Sequence, residues 1–250
     1  MIEGLSLQVK VKGRPILKDV NFKIDDKVLV LGPNGSGKTT LLRVLSGLYK
    51  YEGSVKLNGV ELRNISDFPS FSSNLPEVYH IAMKTEDLVS ILSEIKECSE
   101  DIFSDMMNEA GVNPTGRNPS SLSLGERTVV FTALALCSKP EIIAIDEPFE
   151  NLDKRRKGLM KRWLSEYGKE GFVVTHEMNV LKEFGSWKAF LMIEGRLYGP
   201  MVVGDFLRSK IVEGERDGSV VIEIAGKLYS LIVSNEGQEI TDWNRLYDLV

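Results

Sequence analysis

Gly32-Pro33-Asn34-Gly35-Ser36-Gly37-Lys38-Thr39 is the stretch from which the rest of this chain is read. An apolar run, Val28-Leu29-Val30-Leu31, precedes it, and a helical pattern, Leu41-Leu42-Arg43-Val44-Leu45, follows it. Strand, glycine-rich loop and helix in that order carry the G-x-x-x-x-G-K-[ST] spacing of a phosphate-binding loop. The residue types answer a physical demand. Successive backbone N–H groups must converge on phosphate oxygens, and glycine permits both the curvature and the close approach. A helix opening near Gly37 turns the positive end of its dipole toward the same anion. Lys38 can reach the β- and γ-phosphates, and the Thr39 hydroxyl can ligate Mg²⁺. Residues Gly32 to Thr39, with Thr40 beside them, are therefore the candidate nucleotide-binding residues. A glycine-rich turn that binds nothing is the bland alternative, and it does not explain the strand and helix on either side.

The chain has 250 residues, enough for one large domain with a core and a small appendage. Its 31 Lys and Arg against 36 Asp and Glu leave a net charge of −5, which gives no electrostatic footprint for nucleic acid. Cys98 and Cys137 fall in helical patterns without metal-ligand spacing, and read as free packed thiols in a reducing compartment. The N-terminus lacks a secretion pattern, and the longest apolar run, Val129 to Cys137, is too short for a bilayer. A cytoplasmic protein is expected.

Residues 5–11 and Val20 to Ile24 alternate apolar with polar, as half-buried strands do, with a turn at Lys12 to Pro15. Asn58-Gly59 between short apolar runs predicts a hairpin. The opening is thus an antiparallel β-layer beside a nucleotide-binding core. Residues 66–80 predict a short strand and a loop, with His80 incidental. A helix from Thr85 would carry Leu88, Ile91, Leu92 and Ile95 on one face, and a second, Glu100 to Ala110, would stop at Gly111. Ile142 to Ile145 reads as a strand buried on both faces and ends in Asp146-Glu147-Pro148; Phe172 to Thr175 is another, ending in His176. The segment from about Val203 predicts a helix over Asp205 to Val212, a hairpin at Ala225-Gly226 and a last helix from Asp242.

Two strand ends carry further chemistry. Asp146 is placed to hold Mg²⁺ through water, and Glu147 to orient and polarise a water attacking the γ-phosphate. Parallel strands deliver their carboxyl ends to one crevice, so His176 can donate to the same phosphate. Two solvated carboxylates and a structural histidine are the competing readings, weakened by the phosphate loop.

Together these motifs resemble the ATP-binding subunit of ABC (ATP-binding cassette) transporters over residues 5 to 200. Gly32 to Thr39 is similar to the Walker A loop, Ile142 to Glu147 to Walker B, and Asn151-Leu152-Asp153 to the D-loop. His176 is similar to the switch histidine, and Leu122-Ser123-Leu124-Gly125-Glu126 resembles the signature motif. The resemblance implies an α/β fold: a P-loop NTPase core with an antiparallel β subdomain and an inserted helical subdomain at about 75–137. A small α+β appendage would occupy 203–250 outside the 1–202 ATPase domain. It also implies ATP hydrolysis with Glu147, His176 and Lys38 as catalytic residues, a separate membrane permease, and two copies paired head to tail. Ser123, Gly125 and Glu126 of each copy would then meet the nucleotide of the other; by itself, Leu122-Ser123 reads only as a helix cap. The protein would sit on the inner face of the membrane through its permease. Cobalt-transport or energy-coupling-factor uptake is the cargo type its length and pattern suggest.

Three departures from the family pattern stand out. No adenine-stacking aromatic occurs before Phe22; the matching position is about Val11, and Arg14 is a substitute. Asn74 stands where a Q-loop glutamine would reach Mg²⁺, one methylene shorter. Leu124 replaces the first signature glycine. Two other classes of function remain open at this stage: a soluble ABC ATPase of DNA repair or translation, and a non-hydrolysing ATP-sensing module.

Overall fold

A computed structural model describes residues 1–79, 84–234, 237–240 and 243; His80 and the helix expected from Asp242 lie outside the described residues. Strands β1 (Ile2–Val11) and β2 (Arg14–Ile24) form an antiparallel hairpin turning on Lys12-Gly13, both longer than the alternation implied because Arg14 and Pro15 already pair. β3 (Lys27–Leu31) leads through the phosphate loop into α1 (Lys38–Leu45). β4 (Glu52–Leu57) and β5 (Val60–Glu61) close on Asn58-Gly59, whose φ of 50° and 81° give the turn the twist a two-residue hairpin needs. The order β2-β1-β4-β5 makes the antiparallel layer.

Next come β6 (Phe71–Ser73), α2 (Thr85–Lys96), α3 (Glu100–Ala110) and α4 (Leu124–Leu136). They are followed by β7 (Ile142–Asp146), α5 (Lys154–Glu166), β8 (Glu170–Thr175), β9 (Lys188–Ile193) and β10 (Arg196–Val202). The central sheet runs β10-β9-β3-β8-β7-β6, with every neighbouring pair parallel except β9 and β10. Its strands are apolar on both faces, as the continuous runs required. Val28, Val30, Ile142, Ala144, Phe172 and Val174 pack toward α1 and the antiparallel layer. Leu29, Leu31, Ile143, Ile145 and Val173 pack toward the helices. α4 is buried from Val129 to Leu136, so its apolar sequence is that of a helix enclosed on all sides rather than of a membrane span. Among the described residues no helix is long and apolar enough to cross a membrane.

Three expectations are corrected. On α2, Ile95 is 58% exposed, and Val89 joins Leu88 and Leu92 in the core instead. The segment Asp205 to Val212 is a single helical turn, α6 (Val203–Phe206), followed by strand β11 (Ser209–Glu213), in which Ser209 and Ile211 are buried in alternation. β-Branched Ile211 and Val212, paired with Leu231 and Ser230, favour the extended chain. Strands β12 (Val220–Ile224), β13 (Lys227–Val233) and β14 (Gln238–Glu239) complete a four-stranded antiparallel sheet that turns at Ala225-Gly226 as expected. Its Ile211, Ile222, Ile224, Tyr229 and Leu231 belong to the same apolar cluster as the core helices.

The third correction concerns the cysteines. Cys98 and Cys137 form a disulfide, with Cα atoms 4.8 Å apart, rather than remaining free thiols. The connection between α2 and α3 lies against the end of α4, where Ser99 N–H donates to the Cys137 carbonyl at 3.0 Å. Proximity across 39 residues is a tertiary property, which neither helical pattern carries. The reducing compartment inferred from free thiols loses its support.

Candidate functional site

At the carboxyl ends of β3, β7 and β8 lies a cleft of about 350 Å³. Asn34, Gly35, Gly37, Lys38, Thr39, Thr40, Glu147 and His176 line it, so half of the sixteen expected residues converge. Ile16, Arg43 and Glu150 line it too, and sequence reasoning missed them.

The phosphate loop is shaped by what a side chain would strike. A Cβ on Gly32, at φ 152°, would stand 2.2 Å from the Met192 carbonyl oxygen, and one on Gly37 2.9 Å from Leu17. Gly195 N–H donates to the Ser36 carbonyl at 2.9 Å, tying the β9–β10 turn to the loop. α1 begins at Gly37 with no side-chain cap and no acidic residue in its first turn, leaving its dipole uncompensated at the cleft. The buried Ser36 hydroxyl likewise has no hydrogen-bond partner. Lys38 is 5% exposed, and its ammonium donates to the Gly32 and Pro33 carbonyls at 2.7 and 2.9 Å. Burial pulls its pKa below the usual lysine value, while the charges of Glu147 and Asp146 oppose that shift.

Glu147 stands 3.9 Å from Lys38 Nζ. Its backbone is in the left-handed region at φ 43°, held by an N–H donated to the Val174 carbonyl at 2.9 Å. A strained non-glycine backbone beside a cleft is the kind of conformation that function preserves. His176 donates its main-chain N–H to Glu147 Oε2 at 3.1 Å. Its Nδ1 lies 2.8 Å from Glu147 Oε1, close enough for electrostatic pairing but without hydrogen-bond geometry.

Asp146 shows what cation the site fits. Its Oδ1 is buried with no protein partner, and the Thr39 hydroxyl acts on the same carboxyl group, lowering its pKa. Burial pushes its pKa up to about 6, with the charge of Glu147 adding to the shift and Thr39 and Lys38 opposing it. A stranded carboxylate oxygen beside a hydroxyl is a hard-oxygen donor set, which suits Mg²⁺ completed by phosphate and water.

Asn74 is engaged beside that set. Its Nδ2 donates to the Asp146 carbonyl at 2.9 Å and to Thr132 Oγ1 at 3.3 Å, and its Oδ1 accepts from Asp146 N–H at 2.7 Å. Both ends of the amide bond the main chain of Asp146, so in this structure Asn74 straps the strand that ends in Asp146. Arg14 is exposed at the β1–β2 hairpin and absent from the cleft lining, where Ile16 supplies the apolar surface instead.

Ser123, Gly125 and Glu126 also lie outside this cleft. They build the start of α4: Ser123 Oγ accepts from Glu126 N–H at 3.3 Å, and Glu126 Oε2 from Ser123 N–H at 2.8 Å. Arg117 donates to Glu126 at 3.0 Å, and with those bonds it lowers the Glu126 pKa to about 2. Ser123 and Leu124 are exposed, whereas a Cβ on Gly125 would meet the Asn151 carbonyl oxygen at 2.5 Å. Gly125 thus lets α4 and the 151–153 turn touch through their backbones.

Comparison with known proteins adds the following. The ABC transporter family profile matches residues 17–150. The molybdate/tungstate import ATP-binding protein of Thermococcus kodakarensis is 30% identical over 256 residues, covering 88% of this chain and 74% of the relative. The lipoprotein-releasing system ATP-binding protein of Francisella tularensis is 32% identical over 203 residues, covering 73% and 87%. A crystal structure described as a cobalt transport ATP-binding protein (cbiO-2) superimposes with a TM-score of 0.93 at 39% identity, over 100% of both chains.

Proposed function

The chain belongs to the ABC transporter family, and from that premise we propose that it binds and hydrolyses ATP to drive a solute across a membrane through a separate permease. The observation that carries the residue assignment is the convergence of Lys38, Thr39, Glu147 and His176 on one cleft, with Asp146 directly behind. Loop N–H groups and the α1 dipole bind the phosphates, and Lys38 spans to the outer ones. Thr39 and Asp146 hold Mg²⁺, which when bound neutralises phosphate charge. Glu147 takes a proton from water as its oxygen bonds to the γ-phosphorus. The bond from that phosphorus to the bridging oxygen breaks, and ADP leaves with the electron pair. His176 and Lys38 stabilise charge on the transferred phosphoryl group.

Two copies close head to tail, each presenting Ser123 and the α4 N-terminus to its partner's nucleotide. That the signature residues avoid their own cleft and leave Ser123 exposed supports this arrangement. The permease seats on the groove between Pro76, Tyr79, Asn118, Pro119, Arg127 and Phe131, which joins the loop after Asn74 to the helical subdomain. Through the permease the protein lies at the inner membrane face. Residues 1–202 form the ATPase domain, with 203–250 as an accessory unit.

The relatives carry different cargoes in their names, so the cassette itself does not encode cargo. Metal-ion uptake of the cobalt type is favoured because that likeness spans the whole chain, accessory segment included. The decisive test is Glu147→Gln with MgATP, which should yield a stable dimer by light scattering that Ser123→Arg abolishes. A monomer at saturating ATP would refute the two-copy mechanism, and turnover no higher than that of Lys38→Ala would refute hydrolysis.

A further inference from the structure

The C-terminal segment reaches back to the switch histidine. Trp243 is 8% exposed, and its ring stacks on Phe206, with centroids 6.0 Å apart and planes at 15°. Its Nε1–H donates to the main-chain carbonyl of His176 at 2.7 Å. On the other side of the same residue, the His176 N–H is held by Glu147 at 3.1 Å. The next side chain, Glu177, pairs with Lys157 of α5. The peptide units before and after His176 are therefore fixed separately, one by the carboxylate beside the cleft and one by an indole from beyond β14. A phenyl ring would serve the stack with Phe206 equally well; what it lacks is the N–H. Indole is a donor only, and when buried it needs an acceptor in a set direction.

We infer that Trp243 is a positioning residue for hydrolysis: through the His176 carbonyl it keeps the imidazole in register with Glu147 and the cleft, so the C-terminal subdomain sets the turnover rate without touching nucleotide. The inference rests on the reading of His176 as a group acting at the terminal phosphate. Trp243 does not line the cleft, so the rate should respond to its loss while nucleotide affinity does not.

Steady-state and single-turnover MgATPase of the full chain tests this. Trp243→Phe should lower kcat about fivefold, the worth of one neutral hydrogen bond, with KM for ATP within twofold of wild type. In a His176→Ala background the same change should cost nothing further, since no imidazole remains to be positioned. Phe206→Leu, which loosens the stack but keeps the donor, should retain kcat. Wild-type turnover in Trp243→Phe would overturn the inference. So would an equal fractional loss in the His176→Ala background, or losses in Trp243→Phe and Phe206→Leu that both follow their melting temperatures. A His176→Ala protein with normal turnover would instead remove the reading of the switch itself.

Discussion

Asn74 offers a sharp test because two readings of it predict opposite results. As a strap, its amide satisfies both the N–H and the carbonyl of Asp146 inside a buried setting, Asn74 being 6% exposed. Asn74→Ala removes both bonds. A buried N–H left without a partner costs about 1–3 kcal/mol, and a lost neutral hydrogen bond about 1 kcal/mol. The loss should total about 3 kcal/mol, or roughly 6–12 °C in melting temperature for a chain of this size. Asn74→Asp should be no better, since it keeps an acceptor for the N–H but turns a second carboxylate oxygen on the Asp146 carbonyl. A metal-ligand role predicts the reverse: Asp at 74 would leave the nucleotide-free protein intact and lower the Mg²⁺ concentration needed for turnover. Denaturant unfolding of nucleotide-free protein, followed by tryptophan fluorescence, reads the first quantity, and a Mg²⁺ titration of ATPase reads the second. Wild-type stability in Asn74→Asp together with tighter Mg²⁺ dependence would refute the strap.

Other consequences can be checked more briefly. Glu126 has a lowered pKa, so the stability its charge gives the start of α4 is present above 4.5 and lost only as pH falls toward about 2. Amide exchange should show residues 123–126 protected at pH 4, and Arg117→Ala should move the opening of the cap upward in pH. Gly125→Ala should cost about 2 kcal/mol, because the new Cβ meets a backbone oxygen that cannot swing away, and a wild-type melting curve would show that contact to be soft. Thiol titration of unfolded, unreduced protein should find no free cysteine. Reduction should lower stability by about 4 kcal/mol, the loop-entropy value for a 39-residue separation.

Much of this molecule could be read from local pattern because its decisive elements are local. Val28-Leu29-Val30-Leu31 and Ile142 to Ile145 are short, rich in β-branched residues and apolar at every position, as a strand covered on both faces is, and their ends carry the loop and the carboxylates. Asn58-Gly59 and Gly226 announce their hairpins through backbone conformations few other residues adopt, with Ala225 carried into the same region beside its glycine. What escaped depended on distant partners. Asn74 has the polarity of a ligand, and only the fold shows its amide consumed by Asp146. Cys98 and Cys137 meet because α4 ends beside the α2–α3 connection. Ile16 reaches the cleft because β2 starts earlier than its alternation suggested, displacing Arg14 to the surface. Trp243 gave no signal at all, since a tryptophan near a terminus looks the same whether or not a carbonyl waits for it.

The left-handed backbone at Glu147 has a consequence for anyone trying to toughen this protein. Asparagine tolerates that conformation far better than glutamate, so Glu147→Asn should relieve about 1 kcal/mol of strain while ending turnover, and it raises the melting point so long as the shorter amide still accepts the His176 N–H. Selection for heat resistance alone would then drift toward an inert molecule, beginning at the residue that does the work.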